Sequence, residues 1–518
     1  MFAVTRSSCI VGLDAVPVEV EVSVKDGDRK FTILGLGGAA VRESRDRIVS
    51  ALEISGFFPP EVILVNLAPA DVRKDSACFD LPIAVALACS MGIVPQEALT
   101  DLALCGELSL SGDVKHTAGI AAHAIAAASA GLSMIMVPAE DAAEAAVVEG
   151  VRVIGVSSLR QALSIIKGDE APEFATPVDH TAELRKKSLD DVLGQNIAKR
   201  ALAIAAAGGH NLLMIGPPGC GKSMLAERLS SLLPPLDGEQ MLEVLRIHSV
   251  ANQETGSVLA GVRPFRTPHY VVSDAGLIGG GAGPRPGEVS LAHRGVLFLD
   301  EFPEFRRSAV EALRSPMETG WVQIARAKAA VTFPARFQLI AAMNPCPCGR
   351  FGSGVGTCRC SHHAVRDYLA KLSQPILDRI DLHVELEAVN VDDLVWARPL
   401  ASGGNAESIV SSVLAARQRQ LERQGVLNSE LSDAILRAET KITDGARILL
   451  TQAVKRIGIS ARGFTRVLRV ALTISDLSEQ SVITEDIVAE AVSYRSLDRL
   501  SSIIHGPAGG LREGVGVR

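Results

Sequence analysis

NLLMIGPPGCGKSMLAERLSSLL, residues 211–233, decides how the chain is read. Asn211 to Ile215 is a short apolar run suited to a buried strand, and Met224 onward carries the apolar spacing of a helix. Between them lies Gly216-Pro217-Pro218-Gly219-Cys220-Gly221-Lys222-Ser223. Gly219 and Gly221 let backbone N–H groups turn inward around phosphate oxygens, and the following helix directs its positive end at them. Lys222 has the charge to neutralise β- and γ-phosphates, and the Ser223 hydroxyl is a ligand for Mg²⁺. Strand, glycine loop and helix in this order predict a triphosphate-binding loop on an α/β sheet.

Two more strands have polar ends that suit such a site. Val296-Leu297-Phe298-Leu299 ends in Asp300-Glu301. Paired carboxylates at the carboxyl end of a buried strand are costly unless metal or water satisfies them. Asp300 is therefore read as holding Mg²⁺ through its water shell, and Glu301 as orienting or deprotonating the attacking water. Phe337 to Met343 ends at Asn344, whose amide suits a sensor of the γ-phosphate and lytic water; Asn before Pro is equally a turn starter.

At 518 residues the chain exceeds one compact core, and usual domain sizes suggest three or four units. Hydrophobic residues make up 47% but aromatics only 4%, which favours helix packing and α/β layers. The N-terminus lacks the basic, apolar, small-residue order of a secretion signal, and the longest apolar runs fall short of a bilayer span, which points to the cytoplasm and away from membranes. Nine cysteines, an odd number, argue against a disulfide framework. The net charge of −7 discourages nucleic-acid binding by the particle as a whole, yet Arg306 to Arg350 holds seven basic residues against two acidic ones.

Residues 1–166 alternate β-like runs (Val18 to Val24, Val62 to Leu67, Met134 to Val137) with Ala-rich helical runs (Leu81 to Met91, Ile120 to Ala130). Residues 167–187, charged and with two prolines, read as a linker. A second α/β segment spans 188–390. Residues 391–500 are helical by pattern, clearest at Ala434 to Leu450 and Ala461 to Leu477, and 501–518 form a Gly-rich tail.

The runs SLDDVLGQNIAKRALAIAAAGGHNLLMIGPPGCGKS, LFLDEFPEF and AAMNP resemble the AAA+ superfamily. RPFRTPHY, PGEVSLAHRGVLFLDE, NPCPCG, LDRIDLHVE and SARGFTRVLRVALTISDL are similar to one branch of it, the magnesium-chelatase-like ComM/YifB family. The resemblance covers nearly the whole chain. It implies ATP and Mg²⁺ as ligands, an AAA+ core with a helix-2 insert and a pre-sensor-1 hairpin, and a C-terminal helical lid. It also implies Arg379, in LDRID, as the finger lent to a neighbouring subunit, and Arg462, in SAR, as the lid's sensor arginine. A finger acting in trans requires a closed homo-oligomeric ring, expected as a hexamer. Some family members resemble helicases that drive branch migration of DNA in recombination and natural transformation. The alternative is a magnesium-chelatase-like motor that remodels a protein partner.

Trp321 to Val331 alternates apolar residues around a small turn and reads as a β-hairpin with Arg326 and Lys328 near its tip; its resemblance to an insertion of MCM-like ring motors implies a grip on a DNA backbone, and an exposed hairpin with solvated charges is the other reading. The glycine run Gly276 to Gly283 reads as a loop too flexible for an element interior. Arg263, Arg266 and His269 are candidate pore or interface residues. Cys346, Cys348, Cys358 and Cys360 offer four thiolates for structural Zn²⁺, with His362 or His363 as spares; C-x-C is tighter than usual zinc spacing, and reduced free thiols are the other reading. Asp75-Ser76-Ala77 and Gly106 to Gly112 resemble the Lon-type proteolytic fold. The position of that fold's lysine base falls on Ala121, and Lys115 comes too early, so a Lon-protease-like domain without proteolytic chemistry is expected.

Overall fold

The computed structural model describes residues 1–74, 76–177, 188–281, 284–326, 329–352, 357–388, 405–457 and 459–495. Their contacts divide the chain into two compact units, Met1–Glu183 with Leu236–Val262, and Leu184–Pro235 with the chain from Arg263 onward. Lys328 and Asp75 lie outside the described residues, as do 178–187 of the linker, 391–404 and the tail.

The first unit is built on a mixed seven-stranded sheet in the order Lys30–Leu34, Val62–Ala68, Asp14–Lys25, Phe2–Val11, Leu102–Leu104, Met134–Pro138, Arg152–Val156. Period-two alternation in DAVPVEVEVSVK buries Val18, Val20, Val22 and Val24 and leaves Glu19 exposed, so one face of this strand is core by sequence alone. The helices Asp80–Ser90 and Ile120–Ser129 cover it, both nearly apolar throughout.

Three expectations need correction here. The expected linker does not leave the first unit at residue 167. Ala175 donates its N–H to the Val153 carbonyl at 2.9 Å, and the Arg152 guanidinium lies 4.5 Å over the Phe174 ring, so Phe174 and Ala175 are pinned to a strand. The contiguous core expected over 188–390 is interrupted, because Leu236–Val262 packs within the first unit. There the helix Gly238–Val250, capped by Asp237 on the Gln240 N–H at 2.8 Å, places Val244 and Leu245 against Ala121. Asn252 meets His116 at 2.6 Å and Thr255 meets Glu144 at 2.9 Å. Finally, Ala434 to Leu450 is two helices, Asp433–Glu439 and Asp444–Ile457. Thr440 leaves the helical conformation, Ile442 bridges to Ile483, and Thr443 caps the second helix through the Ala446 N–H at 3.2 Å.

The second unit holds an all-parallel five-stranded sheet in the order Phe265–Arg266, Val296–Leu299, Gln338–Met343, Leu212–Ile215, Leu382–Glu385. The three central strands are buried along their whole length, the pattern of a parallel sheet covered on both faces. The C-terminal helices do not form a core of their own: Val467, Ala471 and Ile474 of helix Ala461–Leu477 share one apolar cluster with Leu202, Leu212 and Leu225. Among the described residues no helix is long and apolar enough to cross a membrane.

Candidate functional site

The strands Leu212–Ile215, Val296–Leu299 and Gln338–Met343 run in parallel register, so their carboxyl ends deliver Gly216, Asp300 and Asn344 to one edge of the sheet. In open α/β sheets this edge is where ligands bind. Gly219 and Gly221 have φ of 78° and 91°, and a Cβ built at either meets nothing within 4 Å. Backbone conformation, not space, demands glycine there. Gly221 caps the helix Lys222–Leu232 and, lacking a side chain, makes no cap hydrogen bond to its first turn.

The side chains converge as their chemistry requires. Ser223 Oγ donates to Asp300 Oδ2 at 2.8 Å. A hydroxyl and a carboxylate in contact are the oxygen donors a hard divalent cation takes, so this pair fits Mg²⁺. The Lys222 ammonium folds back on the loop, donating to the carbonyls of Gly216 at 2.7 Å and Pro217 at 2.9 Å, and to Asn344 Oδ1 at 3.2 Å. Glu301 is exposed and sits in the left-handed region, φ 52° and ψ 43°. For a non-glycine residue that conformation carries strain, and it is held by a hydrogen bond from the Glu301 N–H to Asp300 Oδ1 at 2.9 Å. Cys220 is buried with its carbonyl toward Gln195.

Sequence reasoning missed three supports. Gln195 Nε2 donates to the carbonyls of Glu387 at 2.7 Å and Cys220 at 3.4 Å, tying the phosphate loop to the neighbouring strand end. Tyr368, 7% exposed, hydrogen-bonds the backbone of Asn344, and burial pushes its phenol up to about 12. Gly349 approaches so closely that a Cβ there would lie 2.5 Å from Pro218 Cδ, so the cysteine loop packs on the phosphate loop. A lone Gln, Tyr or Gly carries no spacing signal that would have found these.

Neither arginine is brought to the phosphate loop. Arg379, 6% exposed, pairs with Glu318 and donates to the Pro375 carbonyl. Its own carbonyl accepts from Asn211 Nδ2 at 3.0 Å and Arg466 at 3.2 Å. Beside it the buried Asp381 takes the Asn211 N–H at 3.0 Å and an ion pair from Arg466. Burial opposes charge on Asp381, but the Arg466 guanidinium and His210 outweigh it and hold the carboxyl well below the usual carboxylate range. Arg462 is exposed in the first turn of helix Ala461–Leu477, so Arg466, not Arg462, ties this helix to the sheet in this structure.

The hairpin forms as expected from Trp321–Arg326 and Ala329–Pro334, with Arg326 opposite Ala329. Two residues of the glycine run are more ordered than expected: Gly279 and Gly280 pair with Pro286 and Arg285, and a Cβ on Gly287 would lie 2.3 Å from the Gly279 nitrogen. Arg263 and Arg266 are committed within the unit. Arg263 donates to the carbonyls of Pro234 and Arg294 at 2.6 and 2.7 Å, and Arg266 forks onto Glu288 at 2.7 and 2.9 Å.

The four cysteine sulfurs gather within 4.8 Å of one another. Cys346 lies 3.4 Å from Cys348 and 3.8 Å from Cys358, and Cys348 to Cys358 is 3.6 Å. Zn–S bonds of about 2.3 Å in a tetrahedron put sulfurs about 3.8 Å apart, so the set fits Zn²⁺ despite its tight spacing in the chain. The Phe351 N–H points at Cys346 at 3.4 Å. The Arg350 backbone N–H, the Cys346 sulfur and the Arg359 backbone N–H bring the Cys348 thiol down to about 6, a ready thiolate. His363 is exposed and turned to Asp367 at 2.6 Å, so the cluster does not call on it.

In the first unit the Ser76 hydroxyl accepts from the Cys78 N–H at 3.2 Å. Ala121 is fully buried, and Lys115 is exposed beside Asp113 at 3.5 Å. The buried Lys74 donates instead to the Leu67 carbonyl at 3.1 Å and to that of Pro69.

Comparison with known proteins finds magnesium-chelatase family models along most of the chain. Residues 188–394 match the model for magnesium chelatase, subunit ChlI; residues 20–141 match that for subunit ChlI of Mg-chelatase; residues 403–495 match that for the subunit ChlI C-terminal region. The chain is 40% identical to the uncharacterized protein YifB of Escherichia coli strain K12, over 97% of this chain and 98% of that one. It is 38% identical to competence protein ComM of Haemophilus influenzae, over 96% and 98%. With magnesium-chelatase subunit ChlI of Synechocystis it shares 26% identity over 39% of this chain and 57% of that one.

Proposed function

Since the chain belongs to the magnesium-chelatase-like ComM/YifB family, whose AAA+ character supports an ATPase-type role, we propose that it is a ring motor that couples ATP hydrolysis to translocation on DNA or branch migration of DNA. The observation that carries the ATPase half is the contact of Ser223 with Asp300 at 2.8 Å beside that of Lys222 with Asn344 at 3.2 Å. Lys222 leaves the loop carbonyls for the β- and γ-phosphates, Asn344 senses the γ-phosphate, and Glu301 orients the attacking water and takes its proton. Ser223 and Asp300 would hold Mg²⁺, which would supply charge neutralisation on the phosphates. Arg379 completes the pocket across a subunit boundary of a homo-oligomer, a hexamer on our reading, and Arg462 serves as the lid's sensor arginine. We place the ring in the cytoplasm, with residues 1–166 as a Lon-protease-like domain that lacks its lysine base and serves assembly or substrate binding.

The DNA half rests on the hairpin, with Arg326 ending its first strand and Lys328 following two residues on in the sequence. Cations on a hairpin grip a phosphate backbone without reading bases. ATPase rate is the test. We expect single-stranded or branched DNA to stimulate the wild type several-fold, and Arg326→Ala to lose that stimulation while keeping the basal rate. A rate indifferent to DNA would favour remodelling of a protein partner, as the magnesium-chelatase relationship suggests.

Cys346, Cys348, Cys358 and Cys360 hold a structural Zn²⁺ on this reading, bracing the loop that packs on Pro218. Replacing Cys348 and Cys360 by Ser is expected to remove about one zinc per chain and lower the melting temperature; unchanged metal content would refute the assignment.

A further inference from the structure

Cys78, Cys105 and His123 of the first unit lie outside the nucleotide chemistry altogether. Each is 1% exposed, and their ligand atoms fall within 4.8 Å of one another. Separate elements deliver them: the turn Ala77–Phe79, the segment after strand Leu102–Leu104, and helix Ile120–Ser129. His123 Nδ1 shares a hydrogen bond with Ser8 Oγ at 2.6 Å, which fixes the ring. Its Nε2 is buried and has no hydrogen-bond partner among the described residues. An unpaired ring nitrogen in a core is expensive and calls for a partner, which a water or a metal ion can supply. Beside it lies a cavity of about 240 Å³ lined by Ser8, Ala103, His123, Ala126, Ala127 and Leu132.

We propose that Cys78, Cys105 and His123 form a second zinc site. Two thiols and an imidazole are a soft donor set suited to Zn²⁺. On binding, the ion displaces both thiol protons to solvent, and the two thiolates cancel its charge. That neutrality selects a divalent over a monovalent ion in so dry a place. The cavity opens onto His123, and three protein ligands leave a fourth position for water, the arrangement of a zinc with an open position. Ser8 acts as the orienting partner of the imidazole. The site is independent of the motor reading and of the four-cysteine cluster.

The test is metal content of the full chain in a Cys348→Ser/Cys360→Ser background, which silences the other cluster. About one zinc per chain is expected there, lost on adding Cys105→Ala or His123→Gln. Cobalt(II) loaded into the same background should show a thiolate-to-metal charge-transfer band that weakens when Cys78 is replaced by Ala. Ser8→Ala should weaken zinc affinity about 10- to 100-fold. Folded background protein, judged by circular dichroism, that holds no zinc and shows no cobalt–thiolate band would overturn the proposal. So would zinc that survives both Cys105→Ala and His123→Gln. Should one of these variants unfold, the cobalt spectrum of the folded background chain decides alone.

Discussion

Mixing two dead variants should restore ATP hydrolysis to about a quarter of the wild-type rate, because random ring assembly pairs an intact pocket with an intact finger at about one boundary in four. The variants are Arg379→Ala and Glu301→Gln. An Arg379→Ala subunit keeps its own loop, carboxylates and sensor but lends no guanidinium; a Glu301→Gln subunit does the reverse. Alone, Arg379→Ala is expected to lose roughly 10³ to 10⁵ in kcat with little change in ATP affinity, the usual worth of an arginine finger. The structure makes this a sharp trial, since Arg379 is 6% exposed and paired with Glu318 in its own subunit. To serve a neighbour the guanidinium must leave Glu318, which is half exposed and tolerates its loss. Full activity of Arg379→Ala, or a mixture no better than its parts, would end the shared-pocket reading.

Glu301→Gln on its own should lower turnover roughly 10² to 10⁴-fold while ATP stays bound, the cost of losing a general base. The substitution keeps size and hydrogen bonding, and Glu301 is exposed, so folding is unaffected. Lys222→Ala should instead abolish binding, because the ammonium is the loop's one side-chain charge for the phosphates. Fluorescent-nucleotide binding read beside phosphate release separates the two. Equal loss of binding in both variants would place Glu301 in holding the nucleotide and not in attacking it.

Residues 212–223 and the ends of two other strands were legible because a strand, a glycine loop and a helix start are set by local geometry. A buried run of four apolar residues, two glycines at positive φ and a lysine at a helix start need no distant partner to be recognised. The hairpin was legible for the same reason, through alternation of buried Val322 and Ile324 with exposed neighbours. The cysteine cluster was half legible. Its spacing looked too tight for zinc, yet folding sets Cys358 within 3.8 Å of Cys346.

The sequence alone determined the parallel-sheet module, its glycine loop and the order of its polar strand ends, because each is written in consecutive residues whose backbone preferences and periodicity act over a few positions. Only the tertiary structure decided that Leu236–Val262 packs in the first unit, that Arg466 and not Arg462 meets Asp381, that Arg379 rests on Glu318, and that Cys78, Cys105 and His123 share one buried spot. An amphipathic helix declares that it must bury one face and an arginine that it must find an anion. Which face and which anion depend on chain closure over long separations, and no local preference encodes that.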